Sequence, residues 1–358
     1  MDIALIACAA LLAFSNGAND NFKGFATVWG SYTLSYRRAL ALATAATLAG
    51  SLVSLLLAES LVQQFTGKGL VPSAVAASPS FALSVGLAAA ATVMLATGLG
   101  FPVSTTHALL GGLVGAGLAV NGGAARFGAL ADAFLAPLLI SPVIAALLGS
   151  FAWRLLRRRP EQLDCVCIVA PDQPLAAAGT ASLRMATSAL VVAETEACLS
   201  LPATVARFSI PALADRAHTL SAASICFARG VNDTPKLTAL LLAASALDAQ
   251  VSVLMLALVM ASGGLLFSRR VAETMSKRMT RMDHTQGLAA NLITAALVLI
   301  ASKFGLPVST THLSVGSIAG VGASARRLDW GTLRGVLLSW VATLPLAAAA
   351  AWVVASVV

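Results

Sequence analysis

Charged residues are scarce in this sequence. Asp, Glu, Lys and Arg make up 11% of the 358 residues, while hydrophobic residues make up 58%. Soluble domains carry about 25% charged residues. The composition therefore excludes an ordinary soluble domain. With a mean hydropathy of +0.87, it predicts an all-α polytopic membrane protein embedded in the lipid bilayer.

Signatures of enzymes and metal centres are also missing. The sequence has no His-Glu pair of a zinc protease, no Gly-x-Ser-x-Gly elbow and no P-loop. Its five cysteines follow neither a zinc spacing nor a secreted disulfide framework. We therefore expect no enzyme and no resident cofactor. Membrane topology explains most of the net charge of +8, so no nucleic-acid partner is expected.

What the sequence does have is about five apolar segments in each half, each long enough to be a span. They predict an N-terminal transmembrane repeat over residues 1–153 and a C-terminal transmembrane repeat over 219–358. Between them, the charged stretch 154–218 is predicted to be a cytoplasmic linker. Residues 186–201 of the linker are apolar enough for an amphipathic helix on the membrane surface.

Two polar motifs interrupt these apolar halves, and each occurs twice. Pro-Val-Ser-Thr-Thr-His occupies 102–107 and 307–312, an offset of 205 residues; Gly-Ala-Asn-Asp at 17–20 matches Gly-Val-Asn-Asp at 230–233, an offset of 213. The order and separation indicate two related halves, and transporters build their substrate sites from such polar interruptions. We predict a broken span at the Asn-Asp motif of each half.

An odd number of spans per half predicts that the two halves lie in the membrane with opposite orientations. Most basic residues fall on one side of this arrangement, and the other side receives only Lys68 and Arg126, with Lys303 near its edge. By the positive-inside rule, the basic side is cytoplasmic. The sequence thus predicts a multi-pass protein of the cell (inner) membrane with both termini external.

Asp20 and Asp233 are the only acidic residues in the middle of an apolar span. A charge there costs about 2.5–3.5 kcal/mol on insertion scales, so it normally faces a polar cavity and a partner. Each carboxylate, with the preceding Asn19 or Asn232, offers oxygen ligands for a sodium ion, or the carboxylate can carry a proton. We predict a coupling-ion site. The alternative is a structural ion pair in each half, with Lys23 and Lys236.

The Ser-Thr-Thr motifs have the layout of helix starts, because each follows a proline. Free N–H groups and hydroxyls at such a terminus suit a tetrahedral oxyanion. A capped helix after a re-entrant turn is the structural alternative, but the duplication favours a substrate site. His107 and His312 orient the loop, bind the substrate or pack on neighbouring helices. The predicted oxyanion ligands are Ser104, Thr105, Thr106, Ser309, Thr310 and Thr311.

These four motifs resemble the signatures of the inorganic phosphate transporter (PiT) family of secondary carriers, and the resemblance covers essentially the whole chain. It implies two inverted-topology repeats with broken or re-entrant helices, a homodimer, and phosphate symport coupled to sodium or protons. It also implies that both Asn-Asp pairs line the ion and phosphate site. Gln286 and Asn291 match the family's polar positions ahead of the second Ser-Thr-Thr motif.

The chain departs from the family pattern at two positions. Pro235 stands where glutamine is usual, and Lys23 stands where a small amide is usual, while Lys236 matches. Both lysines join the predicted substrate-binding set, and Lys23 is hypothesised to replace a coupling cation or to tune oxyanion choice. A carrier of another oxyanion such as sulfate stays open, and a membrane enzyme is a weaker alternative. An anion channel is disfavoured because both carboxylates would repel anions.

The predicted topology is testable with reporter fusions. Fusions at Lys68 and at Val358 are both expected to report an external location, because the basic loops hold the opposite side in the cytoplasm. A cytoplasmic reporter at Val358 would contradict the opposite orientation of the halves.

Overall fold

The computed structural model describes residues 2–57, 71–121, 136–156, 164–170, 181–185, 188–201, 204–243 and 247–357, together with Val62 and Phe65. Lys68, Arg126 and Val358, on which the predicted topology partly depends, lie outside these ranges. So do residues 129–135, where the last predicted span of the N-terminal repeat (129–153) begins. Within them, six helical segments are long and apolar enough to cross a membrane. This confirms a mostly helical polytopic membrane protein.

The described part of the N-terminal half is almost entirely helical. Its helices are α1 (Asp2–Asp20), α2 (Ala26–Gly30), α3 (Tyr36–Leu52), α4 (Ser54–Leu57), α5 (Ser73–Ala76), α6 (Pro79–Leu99), α7 (Thr105–Asn121) and α8 (Ala136–Leu156). A single 3-10 turn, Lys23–Phe25, lies between α1 and α2.

The C-terminal half has the same order of long helices. After the short linker helix α9 (Thr195–Ser200), the helices are α10 (Ile210–Ala243), α11 (Ala249–Phe267), α12 (Arg269–Glu273), α13 (His284–Lys303), α14 (Thr310–Ser324) and α15 (Trp330–Val357). A π-helical segment, Thr274–Arg278, follows α12. Because α10 begins at Ile210, the predicted repeat boundary at residue 218 falls inside this helix.

A left-handed glycine ends the helix before each Ser-Thr-Thr motif. Gly100 has φ of 79° and Gly305, 205 positions later, has φ of 67°. Residues with a β-carbon are strained in this region, whereas glycine is not. The chain therefore reverses direction at the same point in both halves and delivers Pro102 and Pro307 to the next helix start.

The predicted break at the Asn-Asp motif is confirmed in the first half and wrong in the second. Helix α1 ends at Asp20, but α10 continues through residues 230–236 with Pro235 inside it. The difference follows from local sequence. Gly24 weakens the helix after the first motif, whereas its counterpart Leu237 is a strong helix former.

The linker contains a β-sheet, so the all-α prediction is wrong for this region. Strands β1 (Cys165–Val169), β2 (Ala181–Met185), β3 (Ser188–Ala193) and β4 (Thr204–Ser209) form an antiparallel sheet in the order β2-β3-β1-β4. The predicted amphipathic helix over 186–201 is also wrong, because only Thr195–Ser200 is helical.

Alternating burial explains the strands. In β1, Cys165, Cys167 and Val169 face the inside of the sheet and the residues between them are partly exposed. A disulfide joins Cys167 to Cys198 of α9, a pairing that the cysteine spacing does not indicate. A burial period of two is typical of a strand.

The long helices of the two halves exchange packing partners. Helix α1 packs on α11 while α3 packs on α10, and α7 packs on α15 while α14 packs on α8. Each of these four contacts joins one helix from each half. The contact of α3 with α10 is that of α1 with α11 with the halves exchanged, and the contact of α14 with α8 is likewise that of α7 with α15. The halves are therefore interleaved, and the motif-bearing helices lie at their contact.

Glycines make these crossings close. A β-carbon at Gly17 would lie 1.8 Å from the Met260 carbonyl oxygen, and one at Gly230 would lie 2.4 Å from that of Thr47. The two contacts are equivalent in the repeat, because Gly230 stands 213 positions after Gly17 and Met260 stands 213 positions after Thr47. Small residues let membrane helices approach to backbone contact, so the duplicated glycines fix the same helix separation twice.

A pair of glycine substitutions tests this packing. Gly115→Ala would place its β-carbon 1.9 Å from the carbonyl oxygen of Ala348, so α7 and α15 must separate. Overpacking of this kind costs about 1–3 kcal/mol, and we expect a lower melting temperature in detergent. Gly98→Ala is the matched control, because nothing lies within 4 Å of the added carbon. Equal melting temperatures for the two variants would contradict the packing argument.

Candidate functional site

The two Ser-Thr-Thr motifs start helices, as predicted. The Ser104 hydroxyl accepts a hydrogen bond from the backbone N–H of His107 at 3.2 Å, and the Ser309 hydroxyl accepts one from that of His312, also at 3.2 Å. Both serines are N-caps, which fix the first turns of α7 and α14. The threonines that follow therefore lie on the first turn of each helix.

Lys23 connects the first Asn-Asp motif to the Ser-Thr-Thr motifs of both halves. Its ammonium group pairs with Asp20 and donates hydrogen bonds to the Val103 carbonyl at 2.8 Å and to the Thr311 hydroxyl at 2.5 Å. Thr311 in turn donates to the same Val103 carbonyl at 2.8 Å. One buried cation thus links the α1 motif to the starts of α7 and α14.

Lys236 makes the equivalent set of contacts from the other half. Its ammonium nitrogen lies 3.5 Å from an Asp233 oxygen, 3.0 Å from the Val308 carbonyl oxygen and 2.9 Å from the Thr106 hydroxyl. Each partner corresponds to one of Lys23 with the halves exchanged. Both ion pairs of the structural alternative, Lys23 with Asp20 and Lys236 with Asp233, are therefore present.

Asn16 and Arg229 join the two Asp residues into one cluster. The Asn16 amide donates to Asp20 at 3.4 Å, to Asp233 at 3.5 Å and to the Thr105 hydroxyl at 2.9 Å. Its oxygen accepts from a guanidinium nitrogen of Arg229 at 3.4 Å. The two carboxylates of the two halves thus share one amide.

Arg229 is 1% exposed and has unused hydrogen-bonding capacity. Its Nε and Nη2 atoms are buried and have no hydrogen-bond partner among the described residues. A buried cation normally has an anionic or polar partner for each donor. These two donors can therefore accept an anionic ligand without displacing a protein group.

Our sequence interpretation missed Arg229 as a site residue. The available signal was the repeat itself, because Arg229 stands 213 positions after Asn16 and immediately before the second Gly-x-Asn-Asp motif. Asn16, four residues before Asp20, was likewise not predicted as a site residue. A search for polar residues at equivalent positions of the two halves would have found both.

The side-chain amides of Asn19 and Asn232 are hydrogen-bonded to other groups of the protein. The Asn19 amide donates to the Thr97 hydroxyl at 2.8 Å and the Phe101 carbonyl at 3.0 Å, while its oxygen accepts from the Val103 N–H at 3.1 Å. All three partners lie at or just before the first Ser-Thr-Thr motif. Asn19 thus holds this loop in place.

Asn232 has a similar role in the second half. Its oxygen accepts from the Ser302 hydroxyl at 3.2 Å, and its amide donates to Asp233 at 2.9 Å and to the Val308 carbonyl at 3.5 Å. Ser302 stands 205 positions after Thr97, so the serine and threonine are also counterparts.

The two histidines meet beside the motifs. The ring centroids of His107 and His312 are 4.5 Å apart, and His312 stacks on Trp340 at 3.8 Å. A ring nitrogen of His312 lies 3.2 Å from the Leu138 carbonyl oxygen. These contacts agree with the packing alternative.

Gln286 and Asn291 form their hydrogen bonds outside the cluster of the four motifs. Gln286 forms a capping box with Asp283 at the start of α13. Asn291 accepts a hydrogen bond from Thr27 at 3.0 Å, and Thr27 also lies 2.9 Å from a ring nitrogen of His218. Among the described residues, neither side chain bonds to a residue of the four motifs. The Asn291 amide donates to the carbonyl of Gly24, the residue after Lys23, at 3.5 Å.

The cluster is closed to solvent. None of its side chains is more than 7% exposed. Its formal charge is uneven, because two carboxylates face two lysines and one arginine. The cluster therefore carries an excess of one positive charge, held among hydroxyls and capped helix starts. Such an environment can hold one small anion. The residues are Asn16, Asn19, Asp20, Lys23, Ser104, Thr105, Thr106, His107, Arg229, Asn232, Asp233, Lys236, Ser309, Thr310, Thr311 and His312.

Known proteins resemble the chain over nearly its whole length. The sequence model of the phosphate transporter family matches residues 16–351. A chloroplastic inorganic phosphate transporter of Arabidopsis thaliana is 28% identical, with 94% of this chain and 68% of the relative aligned. A probable low-affinity inorganic phosphate transporter of Bacillus subtilis is 26% identical, with 97% of this chain and 94% of the relative aligned.

A solved structure, described as "The sodium-dependent phosphate transporter", has the same fold. It superposes with a TM-score of 0.75 at 21% identity and covers 99% of this chain and 98% of its own. The resemblance read from the four motifs is thereby confirmed. By the match over residues 16–351, the chain belongs to the phosphate transporter family.

Proposed function

We propose that this protein is a secondary active transporter of inorganic phosphate that works by alternating access. The carrying observation is that all four duplicated motifs meet in one buried polar cluster at the contact of the two halves. Family membership supports phosphate as the substrate, and the relatives are named transporters, not enzymes.

Phosphate fits the charge and donors of this cluster. Asp20 and Asp233 balance Lys23 and Lys236, so Arg229 supplies the excess charge that a singly charged oxyanion neutralises. The open donors of Arg229 and the hydroxyls of Thr105 and Thr310 are its proposed ligands, while the hydroxyls of Thr106 and Thr311 are bound to the lysines and to backbone carbonyls. The capping residues Ser104 and Ser309 are further proposed ligands. Asn19 and Asn232 act as positioning residues. A sulfate carrier uses the same donors and is the second candidate.

The proposed mechanism is symport driven by a sodium or proton gradient. Asp20 and Asp233 are the coupling groups, since each places a carboxylate oxygen in the cluster. The exchanged helix partners and matched glycine contacts support two inverted repeats that rock around the cluster. We further propose a homodimer in the cell (inner) membrane, with both termini external and the linker cytoplasmic.

Uptake of labelled phosphate into proteoliposomes tests this function. With an imposed sodium or proton gradient, we expect phosphate to accumulate above its equilibrium level, and Asp20→Asn/Asp233→Asn to abolish accumulation because both coupling carboxylates are lost. Excess sulfate should compete weakly. Stronger uptake of sulfate than of phosphate would assign the carrier to another oxyanion. Conversion of the labelled phosphate into another compound, without uptake, would identify an enzyme.

Arg229 offers a sharper test of the anion site. Arg229→Gln removes the excess positive charge, and a hydrogen bond to a charged group contributes about 1.5–3 kcal/mol. We therefore expect the KM for phosphate to rise about tenfold or more. Arg229→Lys should recover part of the affinity. Arg216→Gln is the matched control, because Arg216 lies on the same helix and is exposed. An unchanged KM in Arg229→Gln would remove Arg229 from the proposed site.

A further inference from the structure

The Lys23 ammonium group lies among three oxygens of different kinds. They are a carboxylate oxygen of Asp20, the backbone carbonyl oxygen of Val103 and the hydroxyl oxygen of Thr311. Lys23 is 3% exposed, so water does not compete for its protons. These three oxygens come from three separate elements and converge on one point.

The Lys236 ammonium group lies among the same three kinds of oxygen. Asp233 supplies the carboxylate, Val308 the carbonyl and Thr106 the hydroxyl, at 3.5, 3.0 and 2.9 Å. In both sets, the carboxylate and the carbonyl come from the lysine's own half and the hydroxyl comes from the other. The duplication thus reproduces a complete set of ligands, not only a sequence motif.

The oxygens in each set are of the kinds that a hard monovalent cation binds. Carboxylate, carbonyl and hydroxyl oxygens are the ligands that proteins offer to hard cations. A lysine ammonium group carries the same single positive charge and has three N–H donors. Each lysine has three oxygen partners, so no N–H remains for a phosphate oxygen. This changes the role expected for Lys23 and Lys236, which is no longer that of direct substrate ligands.

We infer that Lys23 and Lys236 are tethered cations that take the places of two coupling ions, so that phosphate uptake by this protein does not depend on sodium. The inference rests on the proposed transport function. A sodium ion that takes the oxygen set of Lys23 or Lys236 would have to displace a buried ammonium group from its ion pair. That displacement leaves a buried charge without its partner, which proteins rarely tolerate. The predicted sodium site at the two Asp residues therefore does not fit this chain.

The consequence for coupling follows from the fixed charges. Because both carboxylates are already neutralised by lysines, only the charge of Arg229 remains for the substrate anion. The loaded cluster is then neutral without any bound metal ion. Of the two candidate coupling ions, the proton therefore remains.

The first experiment compares gradients on the unaltered protein. Labelled phosphate uptake into proteoliposomes is measured with an inward proton gradient in choline chloride and, separately, with an inward sodium gradient at equal pH on both sides. Proton-driven accumulation in choline, unchanged by sodium, is expected. Accumulation only with sodium would overturn the tethered-cation inference while the phosphate-carrier function stands. No accumulation under either gradient would overturn the function itself.

The second experiment vacates the cation positions. In Lys23→Ala and Lys236→Ala, the three oxygens are left without a cation, so proton-driven uptake in choline should fall about tenfold or more for the loss of charge-assisted hydrogen bonds. Sodium should restore part of it. Lys303→Ala is the matched control, because Lys303 is an exposed lysine at the end of α13. Variants that keep wild-type uptake without sodium would overturn the inference.

A binding measurement keeps the inference testable if these variants fold poorly. The melting temperature of the unaltered protein is compared in sodium chloride and choline chloride at equal ionic strength. We expect no sodium-specific increase, because both cation positions are filled by the chain itself. A sodium-specific increase that saturates would show a resident sodium site and would overturn the inference.

Discussion

The buried ion pairs between the two lysines and the two Asp residues are the constraint on which the rest of the structure depends. Breaking a buried pair by removing one partner costs about 3–5 kcal/mol, because the remaining charge is uncompensated. Lys23 and Lys236 also bind the Ser-Thr-Thr hydroxyl of the opposite half. The halves therefore cannot separate at this point without exposing charges to an apolar interior. The pairs hold the motifs together and set the register of one half against the other.

This constraint explains why glycine is placed at the helix crossings. The ammonium groups reach oxygens of both halves only if α1 and α10 lie close to their partner helices. At Gly17 and Gly230, the carbonyl oxygens of Met260 and Thr47 occupy the space that a β-carbon would need. The left-handed Gly100 and Gly305 then direct the chain into each helix start. Close packing and charge burial thus depend on one another, which is why both appear at equivalent positions of the repeat.

The repeat is also what made the sequence informative. Identical motifs at matching positions gave the helix starts at Thr105 and Thr310 and the buried Asp residues. Features that do not repeat were harder to predict. The break after Asp20 has no counterpart in α10, because local helix propensity differs at Gly24 and Leu237. Residues 186–201 of the linker were predicted helical from their apolar content, whereas Ser188–Ala193 within them is a strand paired with β1. Gln286 matched a family position, yet its side chain caps α13.

Arg229 shows where a duplicated site stops being symmetric. A cluster with identical halves would balance its two lysines against its two Asp residues and would attract no anion. The substitution of a guanidinium for the amide of Asn16 at the equivalent position adds one charge on α10 alone. If access alternates as proposed, this charge moves with one half relative to the other, so the two end states present the anion with different fields. The preference for an anion and the inequality of the two sides then have one physical origin, a single side chain that departs from the repeat.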